Sequence, residues 1–108
     1  MREETDRLNV ELIQNETKVT MKMEGRIDAS NAAQLQDKLM ECVRTYDDIV
    51  VDLADLKYIS SAGLRVFRNF QLEMRKKKGT VRILHTRPDV MDVFKVTGFA
   101  RLFDFEES

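Results

Sequence analysis

From Asn9 to Gln14 apolar and polar residues alternate, with Val10 and Leu12 on one side. Asn15-Glu16 interrupts the pattern, and it resumes over Thr17–Glu24 through Val19, Met21 and Met23. A period of two matches side chains that alternate across a strand, so the pair predicts a β-hairpin around a short polar turn. Gly25 is expected to end the second strand. After Asp28 the period lengthens. Ala32, Leu35, Leu39, Cys42 and Val43 fall on one stripe of a helix, capped at its start by Asp28 or Ser30 and ended at Tyr46-Asp47-Asp48. Ile49–Leu53, apolar except for Asp52, reads as a strand covered on both faces.

A second helix is predicted from about Ser61 to Lys77, with Gly63, Val66, Phe67, Phe70 and Met74 along its buried stripe and Gly79 as its stop. Thr80–Leu84 alternates again as a strand. Pro88 suits the first turn of a third helix, which faces inward through Val90, Val93 and Phe94 and closes at Gly98. Arg101–Phe105 is expected as a last short strand. The order is ββαβαβαβ. Strand–helix–strand units of this length favour right-handed crossovers between parallel strands. The expected fold class is therefore α/β: a mostly parallel sheet with an antiparallel N-terminal strand and flanking helices. It forms one domain over residues 8–105, between terminal tails at 1–7 and 106–108. The pattern does not set the strand order.

Composition narrows the function more than the fold. A chain of 108 residues supports one core and not two. Eighteen basic and nineteen acidic residues leave a net charge of −1, with no strongly basic balance for nucleic acid to exploit, and no nucleic-acid partner is expected. The basic run Arg75–Lys78 sits where a helix ends and favours the negative end of its dipole. Apolar runs such as Ile49–Val51 are too short for membrane insertion, and charged Met1–Asp6 is followed by no signal-peptide core. With a lone cysteine, Cys42, the chain is expected to be cytoplasmic. The six methionines read as adaptable core. No cysteine–histidine set has metal-ligand spacing, so no metal or cofactor is expected. His85 alone makes no catalytic triad, and an enzyme is not expected.

Parallel strands send their following loops to one pole, where α/β proteins usually keep their sites. Gly25–Asp28, Lys57–Gly63 and His85–Arg87 are expected to meet there. In the middle segment Ser60 and Ser61 stand directly before the second helix. Serine at that place is a preferred N-cap, and the free N–H groups of a helix start equally suit a phosphate. The two roles are compatible. Asp28 is likewise a cap by position, and Gly63 permits close approach of the helix to its neighbours.

The stretch from Asp52 to Leu64, DLADLKYISSAGL, resembles the signature of STAS domains of the anti-sigma-factor antagonist type, D-L-x-x-[LV]-x-[FY]-[IM]-D-S-[STA]-G-L. Gly25-Arg26-Ile27-Asp28 resembles the same family's G-x-[LI]-D. Pro88 through Phe103 is similar to its closing P-x-V-x-x-[VLI]-F-x-[VLI]-x-G-[LF]-x-x-[LV]-F. The three lie in the family's order and span about Leu8 to Phe105.

This resemblance implies a regulator of transcription that works by partner switching. Unmodified protein would bind an anti-sigma factor that is also a serine kinase, freeing the sigma factor. Phosphorylation of the serine that falls on Ser61 would expel the protein from that complex, and a PP2C-type phosphatase would reset it. Ser60 replaces the family's aspartate and is the alternative acceptor. The resemblance makes Asp28, Ser60, Ser61 and Gly63 the partner-binding residues. Another implied role is a non-switching STAS accessory subunit of a transport or signalling assembly.

Overall fold

The computed structural model describes residues 7–106. Of the expected tails, residues 1–6 and 107–108 lie outside the described residues. Five strands and three helices follow one another as expected: β1 (Asn9–Asn15), β2 (Lys18–Ile27), α1 (Ala32–Thr45), β3 (Asp48–Ile59), α2 (Ser61–Lys76), β4 (Thr80–Leu84), α3 (Pro88–Val96) and β5 (Asp104–Glu106). β1 runs antiparallel to β2, and every other pair is parallel. The expected α/β class with an antiparallel first strand is the observed one.

The strands lie in the sheet in chain order, β1-β2-β3-β4-β5. Right-handed crossovers that never reverse direction put every helix on the same face. The core agrees. Val19, Met21, Met23, Ile49, Val51, Leu53, Val81 and Ile83, one face of each central strand, form a single cluster with buried residues of all three helices. The opposite face carries Thr20, Lys22, Val50, Asp52 and Arg82. β3 is therefore not covered by helices on both sides, as its apolar run suggested. Val50, only 6% exposed, stands outside the helix-covered core cluster.

β2 and β3 run well past their expected ends at Gly25 and Leu53. Two register shifts break their pairing, between Lys22 and Glu24 and between Gly25 and Arg26. Each places an extra residue in β3. A bulge flips the parity of the side chains that follow it. Inward residues then come every third position, at Leu53, Leu56 and Ile59, with exposed residues between. That spacing hides a strand from a search for period two. Gly25 stays inside β2 with φ of 110°, a conformation that favours glycine, and a Cβ there would overlap the carbonyl of Arg7.

Smaller departures have local causes. β1 is an edge strand, so Leu12 and Ile13 are 46% and 49% exposed despite their alternation. The expected strand at Arg101–Phe105 begins instead as a 3-10 turn, Phe99–Leu102, before β5 pairs with β4. Gln71 of α2 donates to the Leu102 carbonyl and holds that turn against the helix. At the end of α2 the left-handed residue is Lys78, φ 64°, and not Gly79. Within the basic run Lys77 is structural. Its ammonium donates to the carbonyls of Val43 and Tyr46 at the end of α1 and pairs with Asp47 at 3.2 Å.

Candidate functional site

The long ends of β2 and β3 finish side by side, with Ile27 paired to Ile59. The Ser60 N–H continues the ladder by donating to the Ile27 carbonyl at 2.9 Å. Ser60 is extended, φ −92° and ψ 175°, and its Oγ accepts from the Gly63 N–H at 3.2 Å. Its carbonyl accepts the first helical bond, from Leu64 N–H at 2.9 Å. Ser60 is thus the N-cap of α2, half-buried and committed through N–H, carbonyl and hydroxyl. Ser61 is the first helical residue. It is exposed, and its hydroxyl has no hydrogen-bond partner among the described residues.

Gly63 is buried where α2 crosses the two strand ends. A Cβ there would lie 2.6 Å from Ile27 Cγ2 and 2.8 Å from Ile59 Cγ1. Both are the stems of β-branched side chains at the bottom of the core, which yield little. Gly63→Ala should therefore cost about 1–3 kcal/mol by overpacking. Urea denaturation reads the cost directly, and unchanged stability would show that the two isoleucines can move aside.

Asp28 follows Ile27 immediately and so stands at the same junction. Its carboxylate accepts the hydroxyl and the backbone N–H of Ser30, the latter at 3.0 Å. The Ser30 hydroxyl first, then its N–H, with a contribution from the Arg26 charge, hold the Asp28 carboxyl below the usual aspartate value. It is ionised at neutral pH. Neither Asp28 nor Ser30 caps α1 as expected. The helix begins at Ala32 with Asn31 in the cap position, and the Asn31 side chain is turned back to bond Asp28 N–H and the Arg26 carbonyl. Asp28 reaches the residue two along, the geometry of an Asx turn, one turn too early for a cap.

Arg26 and Tyr58 are neighbours across the β2–β3 ladder, and the Arg26 guanidinium lies 4.2 Å from the centre of the Tyr58 ring. With Arg7, Asp28, Ser30 and Gln34, Arg26 bounds an open depression of about 580 Å³. Tyr58 lay within the expected Lys57–Gly63 segment but was given no role there, because β3 seemed to have ended before it and the Arg26 partner across the ladder was not foreseeable.

The third expected segment does not join the site. β4 pairs with β3 only as far as Leu84 opposite Asp52. β3 then continues for seven residues to Ile59, roughly 20 Å at ~3.3 Å per residue. His85, φ 60°, pairs instead with Asp52 across 3.1 Å. A sheet whose strand order never reverses has no switch point to gather its loops into one crevice. Among the described residues no three His, Cys, Asp or Glu side chains group to hold a metal ion. No described helix is long and apolar enough to cross a membrane.

Comparison with known proteins puts a family to this arrangement. The STAS domain family model matches residues 9–108. The chain belongs to the STAS domain family. Two curated relatives of this STAS chain are bacterial. BtrV of Bordetella bronchiseptica, assigned as an anti-sigma factor antagonist, is 34% identical over 87 residues, 80% of this chain and 75% of its own. The anti-sigma-B factor antagonist of Bacillus subtilis is 28% identical over 90% of this chain and 89% of its own. Among solved structures the STAS fold is shared with the anti-sigma factor antagonist SpoIIAA. Its unphosphorylated form has a TM-score of 0.77 at 17% identity, covering 94% of this chain and 90% of SpoIIAA. Its phosphorylated form has a TM-score of 0.72 at 16% identity, covering 94% and 93%. The chain is thus a STAS domain of the anti-sigma-factor antagonist type.

Proposed function

We infer that this protein binds an anti-sigma factor with serine-kinase activity, and that phosphorylation of Ser61 releases it. The division of labour between two adjacent serines carries this reading. Ser60 is tied into the cap, whereas Ser61 presents a free hydroxyl at the surface of the same junction. A kinase can take the Ser61 hydroxyl without dismantling the helix start. The γ-phosphoryl group of ATP passes to Ser61 Oγ, ADP leaves, and the hydroxyl proton goes to the kinase or solvent. The ATP site belongs to the partner, so the protein is ligand and substrate but not catalyst. Water attack on the phosphoserine, catalysed by a PP2C-type phosphatase, restores the hydroxyl. Both partners place this cycle in the cytoplasm.

Asp28 and Ser60 border the exposed Ser61 on the surface that the partner covers, while buried Gly63 acts from beneath by seating α2 on the strand ends. Ser60, in place of the family's aspartate, leaves the cap intact because either side chain accepts from the same N–H. The substitution therefore does not favour the non-switching accessory role.

Incubation with the cognate kinase and ATP, followed by peptide mass spectrometry, tests the assignment. Phosphate is expected on Ser61, lost in Ser61→Ala and kept in Ser60→Ala. The latter should also be about 1 kcal/mol less stable through its missing cap. Normal phosphorylation of Ser61→Ala would overturn the assignment.

A further inference from the structure

The exposed edge of α2 carries more than its acceptor. Ser61, Arg65 and Arg68 all face solvent, at spacings of four and three residues. Neither arginine forms an ion pair or a side-chain hydrogen bond among the described residues. Positions i and i+4 are neighbours on a helix surface, about 6 Å apart along the axis. Long helical side chains also lean toward the helix N-terminus, which puts the turn holding Ser61 within reach of an arginine at position 65. Arg68 is about 10.5 Å along the axis from Ser61, beyond the screening length of about 8 Å at physiological salt.

Two of the other charges at the junction are already engaged. Arg26 lies over Tyr58, and the Asp28 carboxylate is bonded to Ser30. Lys57 is exposed on β3, three residues before the cap.

We propose that Arg65 is the internal counter-ion of phosphorylated Ser61. The proposal rests on Ser61 being the acceptor. Without phosphate the guanidinium is free at the rim of the partner surface. With phosphate it folds back onto the dianion, so modification removes a cation from that rim besides adding an anion. The helix start favours the phosphate as well, but it does so whether or not residue 65 is charged. Arginine suits the role because its planar fork can give two parallel N–H donors to phosphate oxygens.

The test uses full-length chain with phosphoserine built in at position 61 during synthesis, so that it does not depend on any kinase. Phosphorus NMR titration reads the second ionisation of the phosphate, which lies near pH 6 when unperturbed. The pKa should be lower in the wild-type background than in Arg65→Gln by about 0.3 unit, the size of a helical i,i+4 ion pair. The gap should shrink in 1 M salt. Arg68→Gln removes the same charge and should move the pKa much less, and Asp28 and Lys57 are common to all three chains. Equal pKa values in wild type and Arg65→Gln would overturn the proposal, as would an equal effect of the two arginines. Failure of a kinase to modify Ser61 would overturn the functional reading while leaving this pKa difference in place.

Discussion

Ser61→Asp is expected to keep its melting temperature near that of wild type and to bind the anti-sigma kinase at least tenfold more weakly. Stability should hold because the cap belongs to Ser60, and the exposed Ser61 hydroxyl bonds nothing among the described residues. A carboxylate in the first turn also meets the positive end of the helix dipole, an effect of about 0.3–1 kcal/mol in favour of folding. Binding should fall because a new charge enters a surface that a neutral hydroxyl had matched. Tenfold is only about 1.4 kcal/mol, modest for an unpaired charge driven into an interface. Authentic phosphoserine carries about −1.5 to −2 charge and should act more strongly. Thermal melts with calorimetric titration of the wild-type, Ser61→Ala, Ser61→Asp and phosphorylated chains separate the two quantities. Phosphorylated protein that bound the kinase as tightly as unmodified protein would end the switching proposal. Unfolding of Ser61→Asp would instead make Ser61 a structural residue.

Phe94→Ala should cost about 3–5 kcal/mol, the range for an aromatic removed from a closed core. Phe94 is fully buried and meets Phe67, Phe103 and Phe105 edge to face, with centroids at 5.9, 5.7 and 5.2 Å. Through it α3 packs both on α2, at Phe67, and on the C-terminal segment, at Phe103 and Phe105. β5 has only three ladder residues, so its attachment depends on this packing. Denaturant unfolding should show the loss, and hydrogen exchange should show β5 opening before β2 and β3. A cost below 1 kcal/mol would mean that neighbouring rings collapse into the space. The Ser60–Gly63 cap is held by its own hydrogen bonds to Ile27 and within the helix start, none of which involves Phe94, and should survive in the folded fraction, so kinase binding per folded molecule should be little changed.

The sequence by itself determined the kinds and order of the elements, because local periodicity is set by the covalent alternation of side chains. Val19, Met21 and Met23 could face one way only on a strand, and Leu35, Leu39 and Cys42 only on a helix. It also marked the junction. The stretch from Asp52 to Leu64 resembled one family closely enough to single out Ser61 and Asp28. Local pattern failed where neighbouring strands impose geometry on each other. The bulges that carry β3 to Ile59 exist only in its pairing with β2, so their period of three looked like the end of a strand. The strand order, and with it the separation of His85 from Ser60, follows from which edges meet across long crossovers, and no local window contains that. The same holds for the two serines. Both are equally good caps on paper, and the choice fell to Ser60 because its N–H is pinned to Ile27, thirty-three residues earlier in the chain. Tertiary pairing left Ser61 at the surface, its hydroxyl without a partner among the described residues.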